Sequence, residues 1–165
     1  MATTITPAAL TVTIKESITL NGLQRGNEQK LTITGVSAFD SRILTVTSGT
    51  HKKLASFGSG TESAGNYDST AVVYVRVTNL DAVNSVDLIL EEADAEGIVG
   101  NTSPSAAYFV LGPGKSFLVG TASLNTEAGF GAGAPPSSIA TAPTLSGIYA
   151  QSDANVDLEL VIAST

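Results

Sequence analysis

Apolar and polar residues alternate with a period of two along most of this chain. Between residues 70 and 120, Val73, Val75 and Val77 alternate with Tyr74, Arg76 and Thr78, and Val86, Leu88 and Leu90 resume the alternation after a short turn at 81–85. Successive side chains of a strand point to opposite faces, so this period, carried by β-branched residues, predicts half-buried strands. Gly112-Pro113-Gly114 supplies turn chemistry between apolar runs at 108–111 and 116–119. These four strands are expected to form the middle of an antiparallel sheet or sandwich.

The pattern recurs on both sides. Leu10, Val12 and Ile14 alternate with Thr11, Thr13 and Lys15, and Ile18 and Leu20 lead into Asn21-Gly22, a strong hairpin dipeptide. Leu31 and Ile33, then Leu44 and Val46, alternate with threonines. Near the C-terminus Val156, Leu158, Leu160 and Ile162 alternate with Asp157, Glu159, Val161 and Ala163. Helical spacing is confined to one possible turn at 93–99. The expectation is an all-β, antiparallel β-sandwich, jelly-roll-like, of about eight to ten strands in a single domain over residues 1–165. Two long loops are expected to interrupt it. The first, at 48–69, is Gly- and Ser-rich with one short strand near 53–57. The second, at 126–147, is rich in Gly, Ala, Pro and Ser, and is either disordered or laid extended over a neighbouring subunit.

The segment from Asn84 to Leu90 echoes that from Asn155 to Leu160, each following a strand with a tyrosine (Tyr74, Tyr149) and a polar turn. Two similar hairpins, or two related halves of a sandwich, would each produce such an echo.

Composition narrows the classes. At 165 residues the chain can build one real core, yet only 14% of it is charged and 5% aromatic, against about 25% charged in average domains. Such a composition suits surfaces covered by partner subunits. A net charge of −7 with eight scattered basic residues argues against wrapping nucleic acid. Cysteine is absent, which excludes disulfides and thiolate chemistry. No apolar run is long enough for a membrane helix, and the first residues lack the basic and apolar regions of a secretory signal. The expected location is a cytoplasm, or a particle built there.

The candidates for chemistry are few. His51 is the lone histidine, beside Lys52 and Lys53, and neither a triad elbow nor a second histidine accompanies it. Gly114-Lys115-Ser116 ends like a phosphate loop, but Phe109 occupies the required glycine position. Asp153, Asn155 and Asp157 open like a calcium loop, but Leu158 and Ser164 stand where Gly and Glu are needed. Glu91, Glu92, Asp94 and Glu96 form either a hard-cation site or a solvated loop. Asn101-Thr102-Ser103 matches a glycan acceptor by chance. The reading is no catalytic, cofactor or metal residue. Arg76 is expected either to pair with Asp87 across a hairpin or to join Tyr74 as an intersubunit anchor, since Arg and Tyr are enriched at binding hot spots. Phe130, Pro135 and Pro136 complete the interface candidates.

The run Tyr74 to Asp81, then Val86-Asp87-Leu88 and Gly114-Lys115-Ser116-Phe117, resembles small virion structural proteins of tailed marine bacteriophages, especially those infecting cyanobacteria. The opening from Thr13 to Gly22 and the closing Asn155-Val156-Asp157-Leu158-Glu159 carry the same look. The likeness covers most of the chain, in loose strand patterns, and the Gly/Ala/Pro segment from Gly129 to Gly147 departs from it. It implies a β-rich particle component that self-associates on a capsid or tail and has no catalytic residues. The first expectation is therefore a capsid decoration (cement) protein. It would be a homotrimer in contact with the major capsid protein, on the outside of a virion assembled in the host cytoplasm, with neither nucleic acid nor membrane as partner. A tail or fibre-attachment protein, and a carbohydrate- or receptor-binding module, are the alternatives.

Overall fold

Thirteen strands and no helix make up residues 6–58, 65–92, 106–120 and 145–165, which the computed structural model describes. They are β1 (Ala8–Lys15), β2 (Ile18–Leu20), β3 (Leu23–Arg25), β4 (Glu28–Val36), β5 (Ala38–Val46), β6 (Lys52–Gly58) and β7 (Asn66–Asp68). There follow β8 (Val72–Asn79), β9 (Val86–Glu92), β10 (Ala106–Leu111), β11 (Ser116–Gly120), β12 (Leu145–Gln151) and β13 (Val156–Ser164). The count exceeds the eight to ten expected because β2, β3 and β7 are only three residues long. The segment 121–144, which holds Phe130, Pro135 and Pro136, lies outside the described residues, as do 93–105 with Asp94, Glu96 and Asn101.

Two sheets face each other as a β-sandwich. One has the order β10-β9-β12-β6-β7 and the other β11-β8-β13-β5. All pairs are antiparallel except the short parallel β6–β7 contact. Number the eight long sandwich strands 1 to 8 along the chain, from β5 and β6 through β8 to β13. The sheets then read 1-8-3-6 and 2-7-4-5. Strands so numbered include the antiparallel pairs 1·8, 2·7, 3·6 and 4·5, arranged around one core.

The alternating residues fill that core. Val156, Leu158, Leu160 and Ile162 of β13 and Val75 and Val77 of β8 meet Val86, Leu88 and Leu90 of β9 and Ile148 and Ala150 of β12. Leu158 and Leu88 are fully buried. Such side chains each stabilise the fold by about 1.5–3 kcal/mol relative to exposure.

Three expectations are refined. First, of the two arrangements expected for the central block, sheet or sandwich, the chain forms the sandwich: β8 and β11 belong to one layer, β9 and β10 to the other. The 80–85 and 112–115 turns are arches that cross the core, not hairpins. Second, in the region 48–69 the short strand expected at 53–57 is β6 (Lys52–Gly58), paired to β12, and a further short strand, β7, follows it. Third, the Gly/Ala/Pro segment ends earlier than expected, since β12 begins at Leu145, which is buried.

The sequence echo now has a geometric counterpart. The arch β8–β9 starts in the four-stranded sheet and ends in the five-stranded one, and the arch β12–β13 does the reverse. The first strand of each arch pairs with the second strand of the other: β8 with β13, and β9 with β12.

Residues 8–36 form a separate ribbon. β1 pairs with β4, and β2 pairs with β3 through the Asn21-Gly22 turn. Positive φ at both residues, 52° and 77°, makes this the primed turn that a two-residue hairpin needs. Glu16 N–H donates to Asn27 O at 2.8 Å where the two halves join. At that joint a Cβ on Gly26 would clash with the Glu16 backbone carbonyl. Gly26→Ala is therefore expected to abolish β2–β3 pairing, read as loss of cross-strand proton contacts between Thr19 and Gln24. The melting temperature of the sandwich should move by no more than about 2 °C, as for other changes remote from a core.

Candidate interaction surface

The root of the ribbon is packed and its tip is not. Ile33 and Val36 of β4, with Leu10, Val12 and Leu31 beside them, cover Tyr74, Val161 and Ala163 on the outer face of the four-stranded sheet. Tyr74 is thereby buried, and burial raises its phenol pKa above the usual 10.0, with Glu159 adding to the rise and Arg76 opposing it. From residue 13 to residue 30, every position is exposed. Ile14, Ile18, Leu20 and Leu23 are between 48% and 60% exposed. Register places Leu20 opposite Leu23, and Ile18 opposite Arg25. Thr19 and Gln24, hydrogen-bonded to each other at 2.8 Å, take the other face. The distal ribbon thus shows one apolar face and one polar face.

Arg76 does not pair with Asp87, which stands in the opposite sheet. Its Nη2 donates to Glu159 Oε2 at 2.6 Å across the β8–β13 pair, on the outer face beside the ribbon root. Both members of the expected anchor are thus engaged within the chain. Sequence reasoning missed the ribbon as a separate element. The usable signal was in β13: outward positions 157 and 159 are acidic, whereas 161 and 163 are apolar, which marks where something covers the sheet.

The polar groups serve turns and edges. Asn79, fully buried, donates from Nδ2 to the carbonyls of Asn84 (2.9 Å) and Leu111 (3.0 Å) and accepts from Asp81 N–H (2.9 Å). Asp81 Oδ1 accepts from Val83 N–H at 2.7 Å and Asn84 N–H at 2.6 Å. The backbone N–H groups of Asn84 and Val83 hold its carboxyl below the usual 3.8. A lowered folded-state pKa contributes stability above the unfolded value that is lost as pH falls through the folded one. Asp81→Asn is expected to flatten the fall in melting temperature between about pH 5 and pH 2, as measured by thermal melts across that range.

At the same end, Ser48 N–H donates to Asn155 Oδ1 at 2.9 Å, Thr45 Oγ1 donates to Asp157 Oδ1 at 2.6 Å, and Ser152 Oγ donates to Ser85 O at 2.9 Å. Of the false calcium-loop residues, Asn155 thus ties two turns together and Asp157 links β13 to β5. An open groove of about 400 Å³ lies beside them, lined by Asn84, Ser85, Asp87, Gln151, Ser152 and Asp153.

At the β5–β6 side, Tyr67 O–H donates to Asp40, Arg42 Nε lies 3.6 Å from Asp40, and Arg42 Nη2 donates to Leu54 O at 2.6 Å. Lys53 Nζ stands 5.0 Å from the centre of the Tyr149 ring. Burial raises the Tyr149 pKa, with the buried Glu91 adding to the effect and Lys53 opposing it. His51 and Lys115 are exposed, and Gly114 turns the β10–β11 arch. Among the described residues no group of three or more His, Cys, Asp or Glu side chains gathers as metal ligands.

Phe109 and Phe117 stack at 5.4 Å between the free-edge strands β10 and β11, next to exposed Tyr108 and Val110. Phe39 and Ile43 are exposed on β5, the other edge of the four-stranded sheet. Long apolar edges of this kind invite pairing with another chain. Set against protein-family models, curated proteins and solved structures, the chain finds no match.

Proposed function

We propose that this chain is a non-enzymatic structural protein of a tailed-phage virion, and that it acts as a capsid decoration protein bridging neighbouring capsomers on the outer shell. The observation that carries the assembly part is the distal ribbon, whose apolar face is left to solvent by its own sandwich. A chain that gains nothing internally from exposing Ile18, Leu20 and Leu23 is built to cover them elsewhere. The resemblance of the strand motifs to marine phage virion proteins supplies the particle. The acidic balance of −7 suits an outer surface better than a DNA-facing one. Mechanically, the protein would act by repeated surface burial, at about 25 cal/mol per Å² of apolar area less the cost of association.

A cryo-EM map of the particle tests this. Density for the chain across the outer shell, in register with the capsomers, supports cementing. Density confined to the tail moves the protein to a tail-associated role, and absence from the particle overturns the virion reading.

A further inference from the structure

The geometry points to a head-to-tail self-contact in which the distal ribbon of one copy seats its apolar face over the acidic groove of a second copy. This rests on the assembly reading and names its self-contact. Three observations carry it.

The first is charge. The ribbon holds Lys15, Arg25 and Lys30 against Glu16 and Glu28, a net charge of +1, so the rest of the chain carries −8 of the total −7. A mildly cationic arm and a strongly acidic body are complementary in charge.

The second is the acceptor. The groove exposes Asp87 and Asp153, and two of the most exposed apolar side chains flank it: Val83 (80%) next to Asn84 in the chain, and Val110 (75%) opposite Asp87 in register. Apolar flanks around two carboxylates match an apolar stripe that carries Arg25 on the same face, with Lys15 at the adjoining end of β1.

The third is placement. The ribbon is rooted where Ser37 N–H meets Ser164 O, at the end of β13, and the groove lies at the opposite end, before Val156. A nine-residue strand separates these ends, roughly 25–30 Å. Residues 13–30 are exposed throughout, so the tip is not seated on its own body. Donor and acceptor are different surfaces of the chain, which makes the contact heterologous, and a closed ring, such as a trimer, satisfies every copy.

The test is sedimentation velocity of the full chain over a range of concentration and salt. The wild type is expected to associate, more weakly at high salt. Leu20→Asp/Leu23→Asp should sediment as monomer with an unchanged melting temperature, since both side chains are already more than half exposed. Lys15→Glu/Arg25→Glu and Asp87→Lys/Asp153→Lys should each weaken association at least tenfold, and combining all four in one chain should restore it. A wild type that stays monomeric, an oligomer indifferent to the arm substitutions, or a four-fold variant that fails to recover would each overturn the inference. None of these results bears on whether the protein is found on the particle, which the map decides.

Discussion

Replacing Asn79 with alanine is expected to destabilise the sandwich by about 2–4 kcal/mol, because two carbonyls and one N–H lose their partner in a dry site. The side chain is fully buried and binds three backbone groups from two connections: Asn84 O and Asp81 N–H in the 80–85 arch, and Leu111 O at the end of β10. It therefore locks both arches that carry the chain between the sheets at this end. For a chain of this size the loss corresponds to roughly 5–15 °C in melting temperature. Asn79→Asp keeps the acceptor for Asp81 N–H but replaces the donors with a charge facing two carbonyls, so it should be at least as damaging at neutral pH. A thermal shift below about 2 °C for Asn79→Ala would mean that water replaces the amide and that the arches hold without it.

Leu158→Ala should cost about 2–5 kcal/mol, the range for deleting a leucine side chain from a packed core. Leu158 is fully buried on the central strand β13, which pairs with β5 on one side and β8 on the other. The site can relax little because both neighbours are fixed by long registers. Ile43→Ala is the internal control. It removes a similar side chain from the opposite face of the adjacent strand, at 65% exposure, and should change stability by no more than about 0.5 kcal/mol. Urea unfolding of both variants decides the matter, and equal losses would contradict the assignment of inner and outer faces.

The strands were legible in the sequence because alternation is local: each residue declares a face relative to its two neighbours. The inner set of β13 and β8 could be read from the residues alone, as could the Asn21-Gly22 hairpin, whose positive φ values are a property of two adjacent residues. The candidate surface was much less legible. Ile18, Leu20 and Leu23 read as ordinary strand residues, and nothing in their spacing says that the folded chain leaves them uncovered. Conversely Tyr74, with the outward parity expected of an anchor, is buried under the ribbon root.

What the sequence determined by itself is the all-β class, the strand positions and the turn chemistry, since each depends on spacing of a few residues. What only the tertiary structure decided is which strands share a sheet. A hairpin and an arch both need two alternating strands around a polar turn. Whether Arg76 then meets Asp87 or Glu159 depends on whether the second strand lies beside the first or across the core from it. That choice is made by the simultaneous burial of both inner faces, to which residues more than eighty positions apart, such as Val77 and Leu160, contribute.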